Sequence, residues 1–310
     1  MSLIKYIQVD QMKQGQRIDN FLITQCKGIP KARLYRALRR GEVRVNKKRI
    51  KPEYRLLEQD IIRIPPFHST GGEKSLSTNT INKYKFLLNY IEYEDNEWIL
   101  INKPSGIPVH SGSFLHLGII EALTHLRPKL KYLRLVHRLD RETSGCLLLA
   151  KKRSALLAVQ NLMLKKRVEK RYTVLVKGVF EGDQQTVNLP LKKNRLHNGA
   201  RYVKVDASGK TACTIFTRKQ QFKSAALLEA VIITGRTHQI RVHAQAIGNP
   251  VAGDEHYGDR AFNQKMKSLG LKRLFLHASS LKFKINEKTF RFQISLPDLL
   301  QKVIDKLPLQ

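Results

Sequence analysis

Acidic residues are scarce in this 310-residue chain: 25 Asp and Glu stand against 57 Lys and Arg, a formal charge of +32. A charge so far from zero repels itself and is normally matched by a polyanion, which makes nucleic acid the leading partner and an anionic membrane surface the second. Long apolar runs are missing too. No stretch approaches the roughly 18 residues that cross a bilayer, and the opening segment, residues 1–13, lacks the apolar core of a signal peptide. Cysteine is limited to Cys26, Cys146 and Cys213, too few and too scattered for a disulfide framework. The expectation is a soluble cytoplasmic protein with no membrane contact. At 42% hydrophobic residues the chain can still build a core, so it is no disordered basic tail.

Several chemistries are excluded by motifs that do not occur. There is no Walker loop and no G-x-G-x-x-G, which counts against nucleotide hydrolysis and a Rossmann-type methyltransferase. His137-Arg-Leu-Asp140 has the wrong order for a kinase loop. His116-Leu-Gly-Ile119 and Lys265-Met-Lys-Ser268 are incomplete versions of the class I aminoacyl-tRNA synthetase signatures. His238 and His243 lack a third ligand for a metal. Ser144 lacks the Gly of a nucleophile elbow. The expected chemistry therefore uses no metal and no cofactor.

What is present is organised in two parts. Residues 13–66 hold 15 Lys and Arg against 5 Asp and Glu, net +10 in 54 residues. Ile18, Phe21 and Leu22 recur at i, i+3, i+4, as in a short amphipathic helix. Pro30 is placed to be the first residue of a second helix and Gly41 to close it, with Arg33, Arg36 and Arg40 along one stripe. Val43 and Val45, an Asn46-Lys47 turn and Ile62-x-Ile64 read as small strands. Residues 67–85, rich in Ser, Thr and Gly, read as a flexible linker. From residue 86 onward, strand-like runs occur at 98–101, 133–136, 146–149, 172–176, 213–216 and 227–233. Helices are expected after Ser154 and from a Thr237 cap to Gly248. Many strands with few crossover helices predict an α+β domain with a mixed, largely antiparallel sheet.

Three clusters could carry chemistry. The polar segment 135–145 centres on Asp140 between two apolar strands, although an ordinary loop Asp more often caps a turn and pairs with Arg138 or Arg141. In segment 234–243, Ile240, Ala244 and Ile247 form a core stripe, leaving His238, Arg241 and Gln245 on another face. That face reads equally well as solvated and basic, but a buried guanidinium there would need a carboxylate partner. Tyr172 alternates with Val174 and Val176, which on pattern alone makes it a core aromatic on a strand.

These residues resemble a known family. His137-Arg-Leu-Asp-Arg-Glu-Thr-Ser-Gly145 is similar to the catalytic signature of the pseudouridine synthases that act on large-subunit ribosomal RNA, and within them to the C type. Tyr172 in Lys170-Arg-Tyr172, Arg241 in the run 235–241, and the segments 102–106 and 273–278 resemble that family's other motifs, in the same order. The block 13–66 resembles the S4 RNA-binding module, and residues 86–310 the catalytic domain. The resemblance implies isomerisation of uridine to pseudouridine at several sites of 23S rRNA; whether that rRNA is free or within an assembling particle is open, and a monomer is expected. It assigns Asp140 as the catalytic Asp, Arg241 as the Arg paired with it, and Tyr172 as the aromatic against the target base and an aid in removing the C5 proton. RNA contacts are expected from Arg138, which could fill the space the base vacates, and from His137, Arg33, Arg36, Arg40, Arg44, Lys47 and Lys48. A non-catalytic RNA-binding or assembly protein is the alternative, with the same charge but no need for all three site residues.

Overall fold

The computed structural model describes residues 4–11, 13–26, 28–67, 78–111, 117–195 and 201–309. Residues 68–77, at the heart of the expected linker, and His116 lie outside that set. The chain divides into two compact units, residues 1–82 and 83–310.

The first unit contains β1 (Lys5–Gln8), α1 (Ile18–Gln25), α2 (Lys31–Arg40), β2 (Arg44–Val45), β3 (Ile61–Ile64) and α3 (Thr78–Asn82). Its strands pair antiparallel in the order β1-β3-β2. The expected stripes converge: Ile18, Phe21 and Leu22 of α1 meet Leu34, Ala37 and Leu38 of α2 over Val43, Val45, Ile62 and Ile64. Asn46 and Lys47 adopt φ 47° and 66°, closing the predicted two-residue turn. Two expectations change. Pro30 sits outside the first turn, in extended conformation, and its carbonyl accepts from Arg33 and Leu34. The folded unit also begins before residue 13, because β1 pairs with β3 and Val9 joins the core. Within the expected linker, residues 78–82 are helical and a 3-10 turn spans Lys85–Tyr90.

The second unit is built on a ten-stranded sheet. In chain order its elements are β4 (Ile91–Glu94), β5 (Trp98–Lys103), α4 (Ile119–Leu126), β6 (Arg134–Leu135), β7 (Ser144–Ala150), α5 (Arg153–Leu164), β8 (Glu169–Lys177) and β9 (Gln184–Val187). The hairpin β10 (Leu191–Arg195) and β11 (Arg201–Val205) stands apart as a two-stranded sheet. Then follow β12 (Thr214–Gln221), β13 (Ala225–Ile232), α6 (Gln239–Ala246), α7 (Arg260–Ser268), β14 (Leu276–Ile285), β15 (Lys288–Gln293) and α8 (Asp298–Ile304). The main path is β4-β5-β7-β14-β8-β13-β12-β9, with β15 on β14 and β6 on β7. Every pairing is antiparallel except β7 with β14. The mixed, largely antiparallel α+β architecture is thus the one the strand-rich pattern predicts. Among the described residues no helix is long and apolar enough to cross a membrane.

The expected helix from Thr237 is shorter. His238, not Thr237, precedes α6; it takes a left-handed conformation at φ 53°, and no side chain caps the helix. A strand expected at 133–136 shrinks to two residues because its neighbours turn into the loop that carries Asp140.

The parallel junction of β7 and β14 places the loop 136–143 beside the start of β14. There His277 lies opposite Ser144 and Ala278 opposite Gly145. Gly145 has φ +104°, and a Cβ on it would stand 2.2 Å from the Ala278 carbonyl oxygen, a strand atom with no freedom to retreat. Gly145→Ala is expected to cost about 3 kcal/mol or more, read as a lowered midpoint of thermal unfolding. A wild-type midpoint would show that the two strands do not approach as closely as this register requires.

Candidate active site

Four elements bring the site together. The loop between β6 and β7 carries Arg138 and Asp140; β8 carries Tyr172; the turn after β13 leads into α6 with His238 and Arg241. With Thr143, Ile232 and Leu276 they line one cleft.

Each position has a local cause. The Asp140 loop is held from behind by Lys103, whose buried Nζ donates to the carbonyls of Pro104, Ile107 and Arg141, each at 2.8 Å. Burial pushes the Lys103 ammonium down to about 7, while the three carbonyls use all three of its N–H bonds. Ser105 Oγ donates to the Glu142 carbonyl at 2.7 Å, and Arg141 Nε to that of Gly106 at 2.9 Å. The start of α6 is fixed by buried Gln239. Its Oε1 accepts from Thr234 Oγ1 and the Arg236 amide, and its Nε2 donates to the Cys213 carbonyl and Thr214 Oγ1. His243 bridges Thr214 Oγ1 and the Leu189 carbonyl, and burial lowers its pKa.

Arg241 is 6% exposed, so it is no solvated face. Its bidentate partner is Asp254, at 2.6 Å from Nε and 2.7 Å from NH2. The expected pairing with Asp140 is present as a longer ion pair, Oδ2 lying 3.9 Å from the remaining NH1. Asp254, 1% exposed, also accepts from the amides of His256 and Tyr257 at 2.9 and 3.0 Å. Burial alone would raise the Asp254 pKa, but Arg241 and the two amides outweigh it and hold the carboxyl below its usual range. The Arg241 guanidinium lies over the Tyr257 ring at 4.9 Å. One charged fork is thereby spent on a structural carboxylate, and its third nitrogen is aimed at Asp140.

Asp140 itself is about a quarter exposed, less deeply buried than an Arg-paired carboxylate in the core. Among the described residues its carboxylate makes no hydrogen bond, and its near neighbours are Arg241 NH1 and His238 Nε2 at 4.0 Å. Tyr172 is buried between β13 and β14, opposite Ala230 and Ala278, whose small side chains leave its ring free to wall the cleft. Burial and the nearby Asp140 charge push its phenol upward, so it is protonated at neutral pH.

The expected RNA contacts divide. Arg138 is exposed at the cleft rim. His137 is turned inward: its Nε2 accepts the Leu148 amide at 3.2 Å, and burial lowers it to about 4. In the first unit Arg36, Arg40, Arg44, Lys47 and Lys48 are exposed. Arg33 leaves that row, pairing with Glu42 at 2.8 Å and lying over Phe67. Asp254, Tyr257 and the role of Lys103 were missed from sequence. The signal for Asp254 was the partner that a buried guanidinium demands.

The family description "RNA pseudouridylate synthase" matches residues 97–246, and the S4 domain matches 16–62. The chain is 46% identical over 308 residues to the ribosomal large subunit pseudouridine synthase C of Haemophilus influenzae, covering 99% of this chain and 96% of that one. It is 49% identical over 282 residues to the protein of that name from Salmonella typhi, covering 90% and 88%. The solved structure of human RNA pseudouridylate synthase domain containing 4 superposes with a TM-score of 0.62 at 28% identity, over 76% of this chain and 99% of that one.

Removing one partner of the Arg241–Asp254 pair strands a buried charge. Asp254→Asn is expected to cost about 3–5 kcal/mol of stability at neutral pH. Because the folded-state pKa of Asp254 is depressed, its contribution is complete above the ordinary value of 3.8 and is lost as pH falls through the lower folded value. The variant should therefore show a shallower acid-unfolding limb, measured by chemical denaturation at stepped pH. An unchanged neutral-pH stability would mean that Arg241 is satisfied without Asp254.

Proposed function

From the RNA pseudouridylate synthase family, to which this chain belongs, we propose that it isomerises uridines of 23S ribosomal RNA to pseudouridine at several sites, with Asp140 as the reacting carboxylate. The observation that carries this reading is an unsaturated carboxylate in a cleft whose cations stand ready beside it. The buried acids among the described residues, Asp19, Asp60 and Asp254, each accept three or more hydrogen bonds.

The reaction is an internal rearrangement. The bond from uracil N1 to the ribose C1′ breaks, a bond from C5 to C1′ forms, the C5 proton leaves and N1 gains one. No external group or electron is consumed, so the chemistry asks for positioned charge rather than a cofactor. The target uridine must leave its stack, costing a few kcal/mol, less in loops and bulges. In the cleft its base lies against the Tyr172 ring, and Arg138 at the rim fills the space left in the RNA. Asp140, beside Arg241 NH1, acts by attack at C1′ of the ribose, by attack at C6 of the base, or by removing the 2′ proton; each route uses the same carboxylate. Tyr172 enters as a neutral phenol, which suits a stacking wall and a proton relay better than a free phenolate base. Among the described residues Asp140 is the one carboxylate lining the cleft, and so the carboxylate available to accept the C5 proton.

The S4 module supplies affinity through its exposed cations. The substrate is large-subunit rRNA, free or in an assembling particle, met by a cytoplasmic monomer. A binding protein without catalysis would have no use for the Asp140, Tyr172 and Arg241 constellation.

Pseudouridine mapping of 23S rRNA in cells lacking the protein should show missing modifications that wild type restores and Asp140→Asn does not, a loss of at least about 10³-fold in vitro. Restoration by Asp140→Asn would move the reading to the binding protein. Replacing Arg36, Arg40, Arg44, Lys47 and Lys48 with Gln should flatten the salt dependence of RNA binding by roughly 0.7–0.9 in slope for each phosphate no longer neutralised. An unchanged slope would take this face out of the RNA interface.

A further inference from the structure

Tyr257 lies outside the polar segments that sequence reading singled out, yet its hydroxyl is bonded on both sides. The amide of Val203, on β11, donates to Tyr257 Oη at 2.9 Å, and Tyr257 Oη lies 2.9 Å from His238 Nδ1. A phenol has a single proton. The Val203 amide fills one acceptor position of the oxygen and leaves that proton free to go to His238 Nδ1, the arrangement in which Nδ1 is the accepting nitrogen. A neutral imidazole that accepts at Nδ1 carries its hydrogen on Nε2. Nε2 points at Asp140 Oδ2 from 4.0 Å, and Arg241 NH1 approaches the same oxygen from 3.9 Å. His238 is held in this pose by its left-handed backbone and by edge contact with the Tyr257 ring at 5.5 Å.

We infer that Tyr257 and His238 are positioning residues that form a hydrogen-bond relay, fixing the imidazole tautomer so that Nε2–H and Arg241 NH1 together hold Asp140 Oδ2 and leave Oδ1 for the substrate. This rests on the reading of Asp140 as the reacting carboxylate. Both donors are just beyond hydrogen-bond distance, the spacing expected of a site that tightens around its substrate. The relay also suits the chemistry. A neutral imidazole donates to the carboxylate without drawing off its charge, whereas an imidazolium would compete with the substrate for it.

The charges around His238 are consistent with a neutral ring. Burial lowers its pKa; Asp140 raises it, Arg241 lowers it, Asp254 raises it and His256 lowers it, with a net downward shift. The Tyr257 hydroxyl adds a donor that favours the unprotonated Nδ1. Without that donor, Nδ1 is free to take a proton, and His238 charges at higher pH.

Tyr257→Phe keeps the ring under Arg241 and removes only the hydroxyl. The test is single-turnover release of tritium from 23S rRNA transcript labelled at uracil C5, measured across pH with the full-length protein. Tyr257→Phe should slow release about tenfold, the loss for one misplaced hydrogen bond. RNA affinity should be unchanged, and the acid limb of the rate profile should move to higher pH. His238→Asn tolerates the left-handed backbone and should slow release at least as much; should Tyr257→Phe not fold, this variant carries the test. The double variant should be no slower than His238→Asn alone, because Tyr257 acts through His238. Wild-type rates and pH profiles in Tyr257→Phe or His238→Asn, beside an inactive Asp140→Asn, would overturn the relay and leave the Asp140 reading intact. Losses that multiply in the double variant would equally overturn it. A fully active Asp140→Asn would instead remove the reading on which the relay stands.

Discussion

The second unit is organised around a buried guanidinium that has to be satisfied. Arg241 on α6 loses most of its hydration, and a charge removed from water is tolerated only when paired and hydrogen-bonded. Asp254 meets the requirement with both oxygens, and the loop that carries it is set in turn by Asn263 of α7, which donates to the Asp254 carbonyl and accepts from the Gly253 amide. The helix, the loop after it and α7 are thus fixed to one another by one ion pair and its surrounding bonds. Once Nε and NH2 are committed, the direction of NH1 follows from the planar geometry of the group, and that direction is toward Asp140. The carboxylate in the cleft is placed against a cation that has no freedom to swing away.

This arrangement explains which parts were legible in the sequence. Alternating and continuous apolar runs mark β5, β7, β8 and β13 because buried strands leave a periodic trace, and the Asn46-Lys47 turn is visible because only a few residues accept its backbone. The strands β10 and β11 leave no such trace: Lys192, Lys193, Arg201 and Lys204 dominate them, and they form a hairpin outside the main sheet. β14 is obscured by Ser279 and Ser280 in its middle, where the ladder to β8 shifts register. The limits of α6 were misread because Thr237 is a good cap by type, whereas the turn is closed by Gln239 reaching back to Thr234 and Arg236.

In the site, the sequence marks Asp140, Tyr172 and Arg241, and the resemblance pairs Arg241 with Asp140, but neither points to the Asp254 that takes Nε and NH2. Sequence shows that a buried arginine needs an acid; it does not show which acid the chain delivers. Asp140 and Asp254 were equally eligible by charge. Only the fold brings Asp254 to Nε and NH2 and leaves Asp140 at arm's length. His137 illustrates the same limit in reverse. It stands three residues from Asp140, yet its ring serves the Leu148 amide inside the sheet.

The scarcity of acid gives these placements a further meaning. Asp19 is buried and accepts from Arg17 and Tyr35; buried Asp60 accepts from Asn46, Tyr54 and the Leu57 amide; Asp254 is saturated by Arg241 and two amides. Those carboxylates hold structure, and their lone pairs are spent. A group that must change partners during a reaction cannot be held that way, because each bond it keeps in the resting state has to be broken before it acts. Asp140 differs in the relevant respect: it faces a cleft, lies near two donors, and is bonded to neither. In a chain carrying +32, an anion that meets its paired cation only at 3.9 Å reflects a backbone and side-chain framework that holds the nearest donors just outside hydrogen-bond distance, and that separation is what keeps the carboxylate free to react.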